Sequence, residues 1–163
     1  MLTYDIFLLL NSSNRFGKEA INCFKKARFN NNIRKYISTT ENFEKKILVN
    51  RNFDQIKLIV HKNKFKNLWD HMKWLSIYSN SDYVSFVHDD DLFQEDFFLK
   101  TYYKLKEYEP YALSCRALYI DKNSLPFINR QKKPIDKIKR IDTNEVLNRY
   151  FLPFDRPINL PTI

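Results

Sequence analysis

The stretch Tyr83-Val84-Ser85-Phe86-Val87-His88-Asp89-Asp90-Asp91-Leu92-Phe93 decides how the rest of the chain is read. Its first five residues form a short run rich in β-formers, bounded by polar residues, and read as a buried strand. The three carboxylates that follow repel one another, so a fold that gathers them generally needs something positive beside them. A hard divalent cation takes oxygen ligands, and Mg²⁺ or Mn²⁺ uses one or two carboxylates and fills its other positions with water and substrate phosphate. One reading is therefore a metal–diphosphate site at the carboxyl end of a strand, where open α/β sheets bind ligands. The other is a solvated acidic turn that caps a helix beginning near Gln94.

Working outward, Tyr4 to Leu10 reads as a buried first strand, broken by the polar loop Asn11-Ser12-Ser13-Asn14-Arg15. Lys18 to Arg28 places Ala20, Ile21, Phe24 and Ala27 at helical spacing. Phe29 to Phe43 is ambiguous, with a turn at Asn30 to Asn32 and a possible helical turn over Ile33 to Ser38. Lys46 to Asn50 and Gln55 to His61 read as strands two and three. Lys66 to Ser79 is a second helix with Leu68, Trp69, Met72, Leu75 and Tyr78 on its apolar side. After the triplet, Glu95 to Tyr108 is a third helix carrying Phe98, Tyr102 and Leu105, stopped by Pro110. Ala112 to Ile120 reads as a further strand, and Asp142 with Glu145 resembles a capping box opening a last helix. This alternation predicts an α/β domain over residues 1–163, with a mostly parallel sheet between two layers of helix. The apolar tail Ile158 to Ile163 could begin another strand, so the domain reads as incomplete at its carboxyl end.

Composition narrows the function. The single glycine, Gly17, stands where average usage would give roughly eleven. A dinucleotide fingerprint or a P-loop needs two or three, so a nucleotide must be held without a glycine cradle. Metal on acidic residues is the substitute. The net charge of +9 admits nucleic acid, anionic lipid or a phosphorylated substrate as partner. No nucleic-acid-binding signature is visible, so nucleic acid is not expected. The one dense basic run, Arg130 to Arg140, is either a solvated loop or a peripheral contact with the inner face of a membrane. No apolar run approaches the roughly 18–20 residues of a membrane-spanning helix. Cys23 and Cys115 sit in apolar patterns and read as buried thiols in a reducing, cytoplasmic compartment, with a disulfide between them as the minor alternative.

In order, these pieces resemble the nucleotide-binding half of a family 2 glycosyltransferase with the GT-A fold. Asp5 to Leu10 followed by Asn14-Arg15 is similar to the family's opening strand and its Asn-Arg. Ser81-Asp82-Tyr83-Val84-Ser85-Phe86-Val87 looks like its Gly-Glu-Tyr-Ile-x-Phe-Leu, and His88-Asp89-Asp90-Asp91-Leu92-Phe93 like its Asp-x-Asp-Asp-Leu-Trp. The resemblance implies transfer of a sugar from a nucleoside diphosphate sugar, UDP-sugar favoured, to a glycan or lipid-linked acceptor, with Mn²⁺ or Mg²⁺. It places Asp90, supported by Asp91, on the metal and Asp89 near the ribose or a metal-bound water. Asn14 and Arg15 would approach the diphosphate. The usual base-reading aspartate after strand two is absent, leaving Asn52 and Asp54 as candidates there.

His88 stands where many members carry the first acidic residue, and is either a ribose or phosphate donor or a structural histidine. The family's catalytic base lies further along, so none is assigned among Glu95, Asp96 and Asp155. A non-catalytic or truncated nucleotide-sugar-binding module is the alternative expectation. A metal-dependent nuclease is a third, and it requires further acidic ligands on a neighbouring strand, for which Asp5 and Asp121 are the hints.

Overall fold

The computed structural model describes residues 1–10, 15–40, 55–62, 65, 67–113, 120, 121, 123 and 125. Met1–Leu113 forms one compact unit and Ser114–Pro161 a second, of which only the last four of these residues are described. The first unit runs β1 (Tyr4–Leu10), α1 (Arg15–Lys26), β2 (Ile33–Thr40), β3 (Ile56–His61), α2 (Leu68–Tyr78), β4 (Tyr83–His88) and α3 (Phe97–Tyr108). The expected strand at Lys46–Asn50 and the helix opened by Asp142 lie outside the described residues, as does most of Ala112–Ile120.

All strand pairs are parallel, in the order β3-β2-β1-β4. The strictly alternating pleat sends neighbouring residues to opposite faces. Ile6, Leu8 and Leu10 of β1 join Ala20, Ile21 and Phe24 of α1 and Phe98, Tyr102 and Leu105 of α3 in one core. Phe7 and Leu9 join Tyr36, Ile59, Phe86, Met72 and Leu75 in the other, beneath α2. Helices therefore cover both faces, and the α/β three-layer expectation holds. Phe7 stacks between Tyr36 and Phe86, with centroids 4.7 and 5.8 Å away, and ties three strands together.

Two expectations change. Ile33 to Ser38 is not helical but belongs to β2, a central strand. Its polar residues hide the strand pattern because four of them have tertiary partners. Arg34 pairs with Asp5, Ser38 bonds His71, and Thr39 donates to the Leu10 carbonyl at 3.1 Å. Buried Lys35 sets its ammonium 4.2 Å over the Phe29 ring. The second change is the rotation of α2. Its buried residues are His71, Met72 and Leu75, while Trp69 and Tyr78 face out. His71 is drawn in by Ser38, which turns Trp69 away. Cys23 is half-buried rather than buried, and Cys115 lies outside the described residues.

Candidate functional site

The order β3-β2-β1-β4 means that the chain moves one way from β1 to β2 and β3, then crosses back to lay β4 on the other side of β1. The crevice where such a sheet reverses, at the carboxyl ends of its strands, is where ligands bind in open α/β folds. Here that crevice lies between the ends of β1 and β4, which pair through Leu9 and His88. The acidic triplet follows His88 directly.

Its geometry is a tight turn. The Asp91 amide donates to the His88 carbonyl at 3.3 Å, putting Asp89 and Asp90 at the two central positions. Asp89 is half-buried, and Asp90 and Asp91 are exposed. The helix-capping reading fails on position. α3 begins at Phe97, its cap residue is Asp96, and even Asp96 makes no side-chain cap bond. The triplet is instead fixed from behind. The Cys23 thiol of α1 donates to the Phe93 carbonyl at 3.0 Å and the Phe93 ring packs on Phe24 and Phe98. Two residues further, the Glu95 carbonyl accepts from the Arg28 amide. Burial pushes the Cys23 thiol up, away from the reactive thiolate.

Crowding shows in Asp91. Desolvation by the surrounding chain is the largest cause raising its carboxyl above the ordinary carboxylate value, and the Asp90 charge comes next. His88 acts in the opposite sense, and Asp89 adds to the repulsion. A cation at this turn would relieve that repulsion. Among the described residues no three His, Cys, Asp or Glu side chains converge as a metal site. Mg²⁺ and Mn²⁺ need no more than one or two protein carboxylates when substrate phosphate supplies other ligands.

Across the crevice, α1 begins at Arg15, three residues earlier than its apolar pattern suggests. Its amino terminus thus follows the end of β1 and stands on the triplet's side of the sheet, where the helix dipole favours an anion. Asn14, Asn52 and Asp54 lie outside the described residues.

Of the two acidic residues on which the nuclease reading depends, Asp5 is placed away from the triplet. Asp5 pairs with Val84 in register, about 17 Å along the strand from the triplet. It is buried and held by Arg34 at 2.5 and 2.9 Å, with the Ser79 hydroxyl at 2.7 Å. Asp121 accepts the amides of Asn123 and Leu125 in its own turn. Of the carboxylates left unassigned as a base, Asp96 pairs with Lys100 at 2.6 Å. Glu95 lines a shallow depression of about 360 Å³ with Glu19, Lys26 and Leu92. Asp155 lies outside the described residues.

Sequence reasoning missed the imidazole cluster at the carboxyl ends of β2 and β3. His71 bonds the Ser38 hydroxyl at 2.8 Å, stacks on Phe65 at 4.5 Å and meets His61 at 4.8 Å. The only signal was a histidine adjoining the apolar stripe of a helix. Burial, then the neighbouring His61, lowers the His71 pKa to about 4 from 6.5. Because the folded state takes up its proton later than the unfolded chain, this stabilisation is full above pH 6.5. It is lost as pH falls toward about 4. The expected loss is about 2 kcal/mol once solvent screening is discounted, read as a falling urea midpoint. His71→Gln, which keeps a partner for Ser38 but cannot titrate, should flatten that slope.

No family model and no curated protein matches the chain. Among solved structures it is similar to that of S. aureus TarS 1–349, at 12% identity and a TM-score of 0.49. The match covers 66% of this chain and 33% of that one. The chain thus matches only about a third of that structure, a likeness too slight to distinguish among α/β families.

Proposed function

We propose that this chain is the donor-binding part of a metal-dependent glycosyltransferase of the GT-A type. It binds a nucleoside diphosphate sugar, with UDP as the favoured nucleotide, and serves transfer to a glycan or lipid-linked acceptor at the cytoplasmic side of a membrane. The observation that carries this reading is the position of Asp89-Asp90-Asp91, in a turn at the reversal point of a parallel sheet. Asp90 and Asp91 would hold Mn²⁺ or Mg²⁺, and the open turn fits an ion that keeps several positions for water and phosphate. Such an ion supplies Lewis-acid neutralisation of the leaving diphosphate. Asp89 orients the ribose side, while Arg15 and the amino end of α1 attract the phosphates. The near absence of glycine supports the reading, because it rules out a glycine-rich phosphate cradle.

The test is calorimetric titration of UDP into the protein with and without Mn²⁺, with GDP and other nucleotides in the same panel. Mn²⁺ should strengthen UDP binding at least tenfold, about 1.4 kcal/mol. Equal affinity in both conditions would sink the metal–diphosphate site.

A further inference from the structure

The outer face of α2 has no role in the site described above. Trp69 and Ile77 are 71% and 77% exposed, and Tyr78 at the end of the helix is 54% exposed. Trp69, Lys73 and Ile77 are spaced i, i+4, i+8, so they form one line of about 12 Å along the helix. Lys73 is exposed, as are Lys57 and Lys62 at the two ends of β3, the strand beneath α2. Lys57 sets its ammonium 6.0 Å from the Tyr36 ring, and Tyr36 in turn meets Tyr78 edge-on at 6.2 Å. The one exposed acid on the helix is Asp70. Large apolar side chains are thus set among lysines on a folded, rigid element.

We infer that the outer face of α2 docks the protein on an anionic phospholipid bilayer, with Trp69 and Ile77 entering the headgroup boundary and Lys57 and Lys73 facing the lipid charge. Tryptophan and tyrosine favour that boundary because their rings are apolar with a polar edge. Surface binding combines buried apolar area with attraction of basic residues to anionic lipid. Size argues against a second copy of the chain as the occupant. The three exposed side chains offer on the order of 400 Å², about half of the roughly 800 Å² per partner in a stable interface. Charge argues the same way, since a two-fold contact would set lysine against lysine.

The 163-residue chain is sedimented with vesicles of phosphatidylglycerol and phosphatidylcholine, and with phosphatidylcholine alone, at low and high salt. Acyl-brominated lipid reports whether Trp69 enters the bilayer, by comparison of the protein with its Trp69→Phe variant. Binding should require phosphatidylglycerol and fall at high salt. It should weaken about fivefold in Lys73→Gln and about tenfold in Trp69→Ala. Because these side chains are exposed, thermal unfolding of the variants should match that of the parent, which separates lost docking from lost folding. No binding to anionic vesicles at low salt would overturn the inference. So would binding undiminished by Trp69→Ala and Ile77→Ser, or lost only when the basic residues of Arg130 to Arg140 are replaced by Gln. Self-association that depends on Trp69, without vesicle binding, would assign the face to a second copy instead.

Discussion

Asp90→Asn is expected to weaken UDP binding in the presence of Mn²⁺ by about 100-fold, or about 2.7 kcal/mol, while leaving metal-free binding nearly unchanged. Asparagine keeps the shape of the side chain at the exposed corner of the turn but removes the charge that a hard cation needs. The same turn makes a second, opposite-signed measurement available. Asp91 has its carboxyl raised by desolvation and then by Asp90, so its ionised form opposes folding. The sign follows from linkage: a raised folded pKa contributes stability that is present at low pH and lost as pH rises through it. At neutral pH, Asp91→Asn should therefore raise the unfolding temperature of the metal-free protein while weakening Mn²⁺-dependent UDP binding. A carboxylate serving only as a solvated turn residue would do neither. If Asp90→Asn leaves the Mn²⁺ effect on UDP binding intact, the metal does not sit on this turn.

Much of this arrangement was legible in the residues, and the parts that were not share a cause. β1 was readable because seven consecutive residues are buried on both faces of the sheet, which leaves an unbroken run from Tyr4 to Leu10. β4 was readable from its short run of β-formers, with Ser85, Phe86 and Val87 buried. α1 and α3 carry their buried residues at helical spacing, and Phe98, Tyr102 and Leu105 lie in the core as that spacing requires. β2 is nearly as buried as β1, yet its sequence Ile33-Arg34-Lys35-Tyr36-Ile37-Ser38-Thr39-Thr40 gives no such run. Four of its polar side chains find partners on other elements, and no local pattern can encode a partner tens of residues away. α2 shows the converse. Trp69 looked like a core residue by type, but the Ser38–His71 bond turns the opposite side of the helix inward. The strand order that creates the crevice is also tertiary information. A sequence can place carboxylates at a strand's end, whereas the order β3-β2-β1-β4 sets that end at a reversal point.

Arg34→Met should destabilise the fold by about 3 kcal/mol, the second large effect expected here, and should do so without touching nucleotide affinity. Arg34 is partly exposed, but its partner Asp5 is buried in the central strand, with side-chain exposures of 36% and 1%. Removing the guanidinium leaves a buried carboxylate with the Ser79 hydroxyl at 2.7 Å and without its countercharge. The remaining hydroxyl cannot replace a bidentate, charge-assisted pair. Adding Asp5→Asn to Arg34→Met should recover part of the loss, because an amide costs far less to bury than an uncompensated charge. This cycle separates the two ends of the sheet. Asp5 lies at the amino edge as a structural anion neutralised from within by Arg34, whereas the triplet lies at the carboxyl edge of the same sheet. If instead Arg34→Met leaves stability unchanged but abolishes Mn²⁺-dependent UDP binding, Asp5 and its partners belong to the metal site. The assignment of that site to the switch point would then be wrong.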